Sequence, residues 1–315
     1  MKQIVRNMQK YFSGFSVENP TLNTVNLELT NICDLHCVMC KQSQRPKGYM
    51  DIQLAADILA EAAKLNVKQI ALHTVGESIL HPKIGEIIRL SKQYDFYVYL
   101  DVNGNSLDQK KAEEIINAGL DSIKFSVDAA TNDTYGKIRR GGDFTKVFEN
   151  MKYLRSLRDE KKSSLKLFTL FIISRDNEHE LEQFKEIMRP VVDEIQYNIL
   201  NNAAGRMRKE QFNEIQLEKF CVPNDLGLCA NPFTRLVITW QGEVSMCCID
   251  FNLDMHIGTY QRGNLMQIWN GDRAWKVRRA MIEKREEDLP IICRSCDAIR
   301  FDTPQRNKII NEIFK

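Results

Sequence analysis

Between residues 22 and 202, six short runs rich in Val, Ile, Leu, Phe and Tyr alternate with amphipathic stretches, and few architectures accommodate that rhythm. The strand-like runs are Val25–Leu29, Gln69–Thr74, Phe96–Val102, Ser122–Val127, Leu165–Ile172 and Glu194–Leu200, each bounded by polar or Gly-containing segments. Asp51–Leu65 carries its apolar residues at Ile52, Leu54, Ala55, Ile58, Leu59, Ala62 and Leu65, which is helical spacing. Pro82–Tyr94, Asp108–Ala118, Asp143–Leu157 and Glu178–Met188 continue the series. Such alternation predicts right-handed βαβ units, an α/β fold with a parallel sheet and helices outside it. An open doubly wound sheet and a partial barrel both fit, and in either the functional loops leave the C-terminal ends of the strands.

A chain of 315 residues holds one large α/β domain plus a smaller one, and 43% hydrophobic residues suffice for a sizeable core. Lys and Arg number 44 against 42 Asp and Glu, so no concentrated basic face marks a nucleic-acid or membrane-surface binder. No apolar run approaches the roughly 20 residues that span a bilayer. The N-terminus lacks a signal-peptide pattern; its Ile4, Val5, Met8, Tyr11 and Phe12 recur at helical spacing. We therefore expect a cytoplasmic protein whose nine cysteines are reduced, and clustered thiols there point to metal binding or catalysis.

After residue 205 the rhythm changes. Arg206–Phe220 is a charged helical or linking stretch, followed by a cysteine-rich segment. That segment contains a predicted hairpin: Arg235–Thr239, a turn at Gln241-Gly242, and Glu243–Met246. The expected organisation is an N-terminal helical extension (1–21), the main α/β domain (22–205), a small cysteine-rich domain (206–300) and a helical tail (301–315).

Directly after the first strand stands Thr30-Asn31-Ile32-Cys33-Asp34-Leu35-His36-Cys37-Val38-Met39-Cys40, a C-x3-C-x2-C spacing. Three thiolates on one tight loop can ligate three corners of a four-iron cluster, leaving the fourth iron open to an outside ligand. The alternative is a zinc site with His36 as fourth ligand, but an imidazole between two of its partners closes a tetrahedron poorly.

This loop and its Thr-Asn-x-Cys lead-in resemble the signature of the radical S-adenosylmethionine (SAM) superfamily. The resemblance implies a partial (β/α)6 barrel of TIM type. It also implies that the open iron of a [4Fe–4S] cluster on Cys33, Cys37 and Cys40 chelates SAM, whose reductive cleavage gives a 5′-deoxyadenosyl radical that abstracts hydrogen from substrate. Val75-Gly76-Glu77-Ser78 resembles the family's Gly-Gly-Glu-Pro motif, so Gly76 and Glu77 are expected at the SAM amino group, with Val75 and Ser78 departing from the pattern. Asn103-Gly104-Asn105 resembles the family's Thr-Asn-Gly turn, offering Asn103 as a contact or simply a glycine turn. Ser126 and Asp128 fall where relatives approach the SAM ribose, and Arg139 where they approach its carboxylate. Hydroxyl, carboxylate and guanidinium are fitting partners for a diol and a carboxylate.

Cys229, Gly242-x4-Cys247 and Cys293-x2-Cys296 are similar to the SPASM or abbreviated twitch domain, with ligands for one auxiliary [4Fe–4S] cluster; spacing alone leaves a four-cysteine zinc ribbon open. Gly263-Asn264-Leu265-x3-Trp269-Asn270-Gly271 matches a SPASM stretch in which Trp269 reads as a core anchor. Cys221 reads as buried. Cys248 reads as a small hydrophobe, a spare ligand or a thiol that returns hydrogen to a substrate radical.

One auxiliary cluster resembles the aminocyclitol dehydrogenase and aminoglycoside epimerase members of the superfamily. The resemblance implies a small-molecule substrate, a sugar or aminocyclitol, oxidised or epimerised at an alcohol carbon. It implies an external electron donor such as flavodoxin or ferredoxin, and neither nucleic acid nor membrane as partner. Peptide maturation is the alternative enzyme reading, and a non-catalytic iron–sulfur electron-transfer protein the alternative of another class.

Overall fold

The computed structural model describes residues 20–200 and 229–296. The expected helix at the N-terminus, the Arg206–Phe220 stretch, Cys221 and the 301–315 tail lie outside the described residues.

Six strands appear in the expected order: β1 (Thr24–Leu27), β2 (Gln69–Ala71), β3 (Tyr97–Val102), β4 (Ser122–Ser126), β5 (Lys166–Ile173) and β6 (Glu194–Ile199). Between them run α1 (Ile52–Lys64), α2 (Ile84–Ser91), α3 (Gln109–Asn117), the short α4 (Asn132–Ile138), α5 (Phe144–Glu160) and α6 (Leu181–Met188). Aspartates start three of these helices by accepting orphan backbone N–H groups: Asp51 from Gln53 at 2.7 Å, Asp108 from Lys111 at 2.8 Å and Asp143 from Lys146 at 3.1 Å.

All neighbouring pairs among these six strands are parallel, and the strand order runs from β6 to β1 without reversal. A doubly wound sheet reverses direction at a switch point and covers both faces. Successive right-handed crossovers in one direction instead place every helix on one face and leave the other as an interior. The open alternative is thereby resolved in favour of the partial (β/α)6 barrel.

Burial alternates accordingly. Val98, Leu100 and Val102 are buried towards the helices, where they join Ile58, Ile87, Ile88 and Ile115 in one core, whereas Tyr97, Tyr99 and Asp101 between them are not buried.

The predicted hairpin is β7 (Arg235–Ile238) and β8 (Glu243–Ser245), joined by β9 (Gly258–Thr259). β7 does not stand apart: it pairs in parallel with β1, Thr24 opposite Arg235 and Leu27 opposite Ile238, so the cysteine-rich segment continues the barrel sheet. Behind it pack α7 (Asn231–Thr234), α8 (Leu265–Trp269), α9 (Asp272–Ile282) and α10 (Ile291–Arg294). Trp269 is buried as a core anchor, its indole N–H reaching the carbonyl of Pro20 at 3.3 Å. No helix among the described residues is long and apolar enough to cross a membrane.

Candidate active site

The loop bearing Cys33, Cys37 and Cys40 lies at the C-terminal end of β1, tied to its surroundings mostly through backbone. His36 N–H bonds the carbonyl of Arg140 at 2.8 Å, Val38 N–H that of Ile138 at 2.9 Å, and Cys40 N–H that of Cys37 at 3.0 Å. Asp34, between the first two thiols, accepts from Asn103 Nδ2 at 2.7 Å, Asn105 Nδ2 at 2.9 Å and Ser106 Oγ at 2.7 Å. Burial alone would raise this carboxyl, but the three donors outweigh it and hold it below the ordinary carboxylate range. Asp34 thus clamps the cysteine loop to the turn after β3.

Gly76 and Glu77 close the site from the end of β2. The Glu77 N–H bonds the carbonyl of Ile32 at 2.7 Å, and its Oε2 accepts from the N–H of Asn103 at 2.7 Å. Burial pushes its carboxyl up to about 8 against those hydrogen bonds. Gly76 has φ +85°, and a Cβ there would stand 2.5 Å from the backbone oxygen of Thr30. Gly76, Glu77, Asn103 and the cysteine loop therefore meet in one place.

Asp128 and Arg139 form a buried pair beside them. Arg139 Nε donates to Asp128 Oδ2 at 2.9 Å, the other Asp128 oxygen accepts from Ile172 N–H at 2.6 Å, and Arg139 Nη1 reaches Cys37 Sγ at 3.8 Å. Asp128 holds φ +63° and its carbonyl accepts from Asn177 Nδ2 at 2.8 Å. Ser126 ends β4 on the inner face, opposite Leu170 of β5.

The pocket fits an anionic thiolate cluster. Arg139 Nη1 and Asn103 Nδ2 approach the sulfurs of Cys37 and Cys33 at 3.8 and 3.9 Å. Among the described residues the buried hydroxyl of Tyr135 has no hydrogen-bond partner, and it lies within electrostatic reach of Cys37. Burial raises the Cys33 thiol to about 12 and drives that of Cys37 upward against the pull of Arg139. Thiols so placed become thiolates only when a metal takes the proton's place.

The second set assembles from three segments. The Cys229 N–H meets Met281 Sδ of α9 at 3.3 Å; Cys247 follows β8, its N–H on Ser245 Oγ at 3.3 Å; Cys293 lies within α10 and Cys296 just after it. Burial, reinforced by the neighbouring thiols, raises Cys229 and Cys293 to about 12 and pushes Cys247 up as well. Asp250 braces the loop, accepting from Ser245 Oγ, Asp254 N–H and Met255 N–H at 2.8–2.9 Å. Cys248 Sγ accepts from Asn231 Nδ2 at 3.8 Å and lies within electrostatic reach of Tyr99 on β3.

Sequence reasoning missed a polar row on the inner face. Asp101 of β3 stands opposite Lys124 of β4, and continuing the β2–β3 register brings His73 to its other side. Lys124 Nζ lies 2.9 Å and His73 Nε2 3.5 Å from the same oxygen, Asp101 Oδ2. Among the described residues no donor occupies Oδ1. Burial, with Lys124 and Arg235 nearby, holds the imidazole of His73 below its ordinary range despite Asp101. The signal was the alternation in Tyr97-Val98-Tyr99-Leu100-Asp101-Val102: a strand covered by helices on both faces reads as a continuous apolar run.

Fold and site define an iron–sulfur enzyme that binds SAM at the mouth of a partial barrel, and the comparisons agree. The family model described as the radical SAM superfamily matches residues 27–188, over half the chain, and the SPASM iron–sulfur cluster-binding domain matches 229–297. The chain belongs to the radical SAM superfamily, and its cofactors are SAM and two [4Fe–4S] clusters.

Among curated proteins it is 26% identical over 299 residues to the tungsten-containing aldehyde ferredoxin oxidoreductase cofactor-modifying protein of Pyrococcus furiosus, covering 78% of this chain and 80% of that one. It is 29% identical over 173 residues to the GTP 3′,8-cyclase of Chlorobaculum tepidum, covering 54% of this chain and 51% of the cyclase. Its fold is similar to BtrN, solved with AdoMet and 2-DOIA (TM-score 0.61, 16% identity, 89% of this chain and 94% of that one). It is also similar to Streptococcus suis SuiB bound to its precursor peptide SuiA (TM-score 0.64, 11% identity, 87% and 69%). At such identities the structures share the fold alone.

Proposed function

We propose that this chain removes a hydrogen from an alcohol-bearing carbon of a small hydroxyl-rich molecule, a carbohydrate or aminocyclitol, and oxidises it to a carbonyl. The observation that supports this reading is the parallel pairing of β7 with β1, by which the cysteine-rich segment continues the barrel sheet. Bound SAM and its cluster supply hydrogen-atom abstraction, and the auxiliary cluster supplies an electron acceptor.

The chain's own residues do the rest. Gly76 and Glu77 receive the amino end of SAM, Asn103 and Ser126 line the layer beneath it, and Arg139 holds the Cys37 corner while Asp128 fixes Arg139. One layer deeper, Asp101 accepts the hydroxyl proton of the substrate on Oδ1, with Lys124 and His73 fixing the carboxylate through Oδ2. A carbinol losing a hydrogen atom, this proton and one electron is a carbonyl. The interior row presents both hydrogen-bond donors and acceptors, which suits neighbouring hydroxyls better than an apolar side chain.

The test is anaerobic turnover of the reconstituted enzyme, with SAM and a low-potential donor, on a panel of sugars and aminocyclitols deuterated at their carbinol carbons. Deuterium should appear in 5′-deoxyadenosine with one carbonyl formed per molecule. Turnover of peptides alone would overturn the reading.

The position of Cys248, beside Asn231 and within reach of Tyr99, favours epimerisation as the second reading. In that case turnover in deuterated water leaves solvent deuterium at the reacting carbon, and Cys248→Ala abolishes it.

A further inference from the structure

Arg235 opens β7 opposite Thr24 of β1, on the face away from the fully buried Leu236 and Ile238. Only the single turn of α7 separates it from Cys229, and its backbone N–H closes that turn on the carbonyl of Asn231. Its guanidinium lies near the side chain of Tyr99, and among the described residues its buried Nε meets no acceptor.

Among the described residues no carboxylate pairs with it. Glu28, just past the end of the adjacent strand β1, is held by Arg45, and Asp101, further round the inner face, by Lys124 at 2.9 Å. Asp250, on the other side of the cysteines, is already met by Ser245, Asp254 and Met255. A partly buried guanidinium without a counter-charge is costly, so the architecture lacks a negative charge at this point. Asn231, on whose carbonyl the Arg235 N–H closes, also holds Cys248 Sγ at 3.8 Å beside Cys247, so Arg235 stands one turn from Cys229 and next to the Cys247 loop.

We propose that Arg235 is the counter-charge of the auxiliary cluster and raises its reduction potential, making it the stronger electron acceptor on the side that faces the barrel interior. This rests on the reading of that cluster as an acceptor. A cluster ligated by four thiolates is an anion and becomes more negative on reduction, so a nearby fixed cation stabilises the reduced form more than the oxidised one. Tyr99 of β3 borders the guanidinium on the barrel side, where outer groups of this kind orient the shell around metal sites. Arg235 touches neither substrate nor ligand, and is a positioning residue.

The measurement is an EPR-monitored redox titration of the holoenzyme, which needs no substrate. SAM perturbs the signal of the cluster it binds, so the auxiliary signal is the one that SAM leaves in place. In Arg235→Gln the reduced-to-oxidised ratio of that signal at a fixed poise should fall about tenfold, equivalent to about 59 mV for one electron. Arg235→Lys, which keeps the charge, should stay within about twofold of the parent, a narrow margin beside the tenfold loss.

A parent-like Arg235→Gln, or an Arg235→Lys that falls as far as the Gln variant, overturns the proposal. If the Gln variant does not retain auxiliary iron, Arg235→His decides, because its charge switches within one protein near pH 6.5. Its auxiliary potential must rise on acidification more steeply than the parent's, and equal slopes overturn the proposal. Failure of every alcohol in the turnover panel would remove the proposed reaction and leave the shift in potential standing. An unmoved potential would remove the role of Arg235 and leave the reaction standing.

Discussion

Replacing Gly76 with alanine probes the tightest backbone contact of the candidate SAM site. The new methyl would lie 2.5 Å from the backbone oxygen of Thr30 and 2.8 Å from two backbone carbons of Asn31, none of which can rotate away as a side chain could. The φ of +85° adds its own penalty. The backbone term is about 1–2 kcal/mol and the overpacking term about 1–3 kcal/mol, so the variant should lose about 2–5 kcal/mol. Gly263→Ala supplies the control, since Gly263 has φ +90° and a methyl added there would meet nothing within 4 Å, leaving only the backbone term. Urea unfolding of both variants, with unchanged m-values, separates the two contributions. Relief of the clash must push Thr30 and Asn31 away from the Gly76 turn, stretching the 2.7 Å bond from Glu77 N–H to the carbonyl of Ile32. SAM affinity, measured by calorimetry on the reconstituted enzyme, should therefore weaken at least tenfold, about 1.4 kcal/mol. If Gly76→Ala is no less stable than Gly263→Ala and binds SAM as the parent does, the packing account of this loop is refuted.

Three further outcomes follow from the same geometry. Asp128→Asn keeps a residue that tolerates φ +63° and can still accept from Ile172 N–H, but leaves the guanidinium of Arg139 uncompensated in a buried site; denaturant unfolding should show a loss of about 3–5 kcal/mol. Glu77, raised from 4.5 to about 8 by burial, favours the folded state while neutral, so its ionisation subtracts stability as pH rises from 4.5 towards 8. In that window SAM-free protein should lose stability relative to Glu77→Gln, with a slope approaching about 1.4 kcal/mol per pH unit; equal pH profiles for the two proteins would contradict this. Cys293→Ala should lower bound iron from about eight to about four per chain and remove the EPR signal that SAM does not perturb.

What could be read directly from the sequence follows the range over which each feature is encoded. The spacing of Cys33, Cys37 and Cys40 could be read because it is written within one loop, whereas the second cysteine set is spread over three segments. The helices begun by Asp51, Asp108 and Asp143 were legible because an acceptor at the cap and apolar spacing behind it are both local. α4 was not, since Asn132-Asp133-Thr134-Tyr135-Gly136-Lys137-Ile138 has little apolar periodicity and a central glycine; it is begun by Thr131, which accepts from Thr134 N–H at 3.3 Å. α9 was hidden for a different reason. Arg278 lies on its buried side, 3.9 Å from the ring of Trp269 and bonded to the carbonyls of Pro232 and Trp269, where a polarity pattern would place it in solvent. The hairpin of β7 and β8 could be foreseen, but not its pairing with β1, a contact between residues about two hundred positions apart. The row of His73, Asp101 and Lys124 belongs with that last case, because register alone brings three strands' side chains together.

That register also separates two tasks along a single strand. Asn103 follows Asp101 by two residues, just past the end of β3, and the rise of about 3.3 Å per residue places them about 7 Å from each other. Asn103 belongs to the upper layer: its N–H holds Glu77 and its side chain holds Asp34. Asp101 belongs to the lower layer, with Lys124 and His73. On the proposed reading, the carbon that loses hydrogen must lie between these layers, within reach of both the SAM mouth above and the open Asp101 oxygen below. β7 bounds the same space on the side of β1, so an electron leaving that carbon towards Cys229 or Cys247 passes Tyr99 and Arg235. On that reading, proton acceptance follows from the β2–β3–β4 register, and the electron's exit from the docking of a seventh parallel strand onto the first.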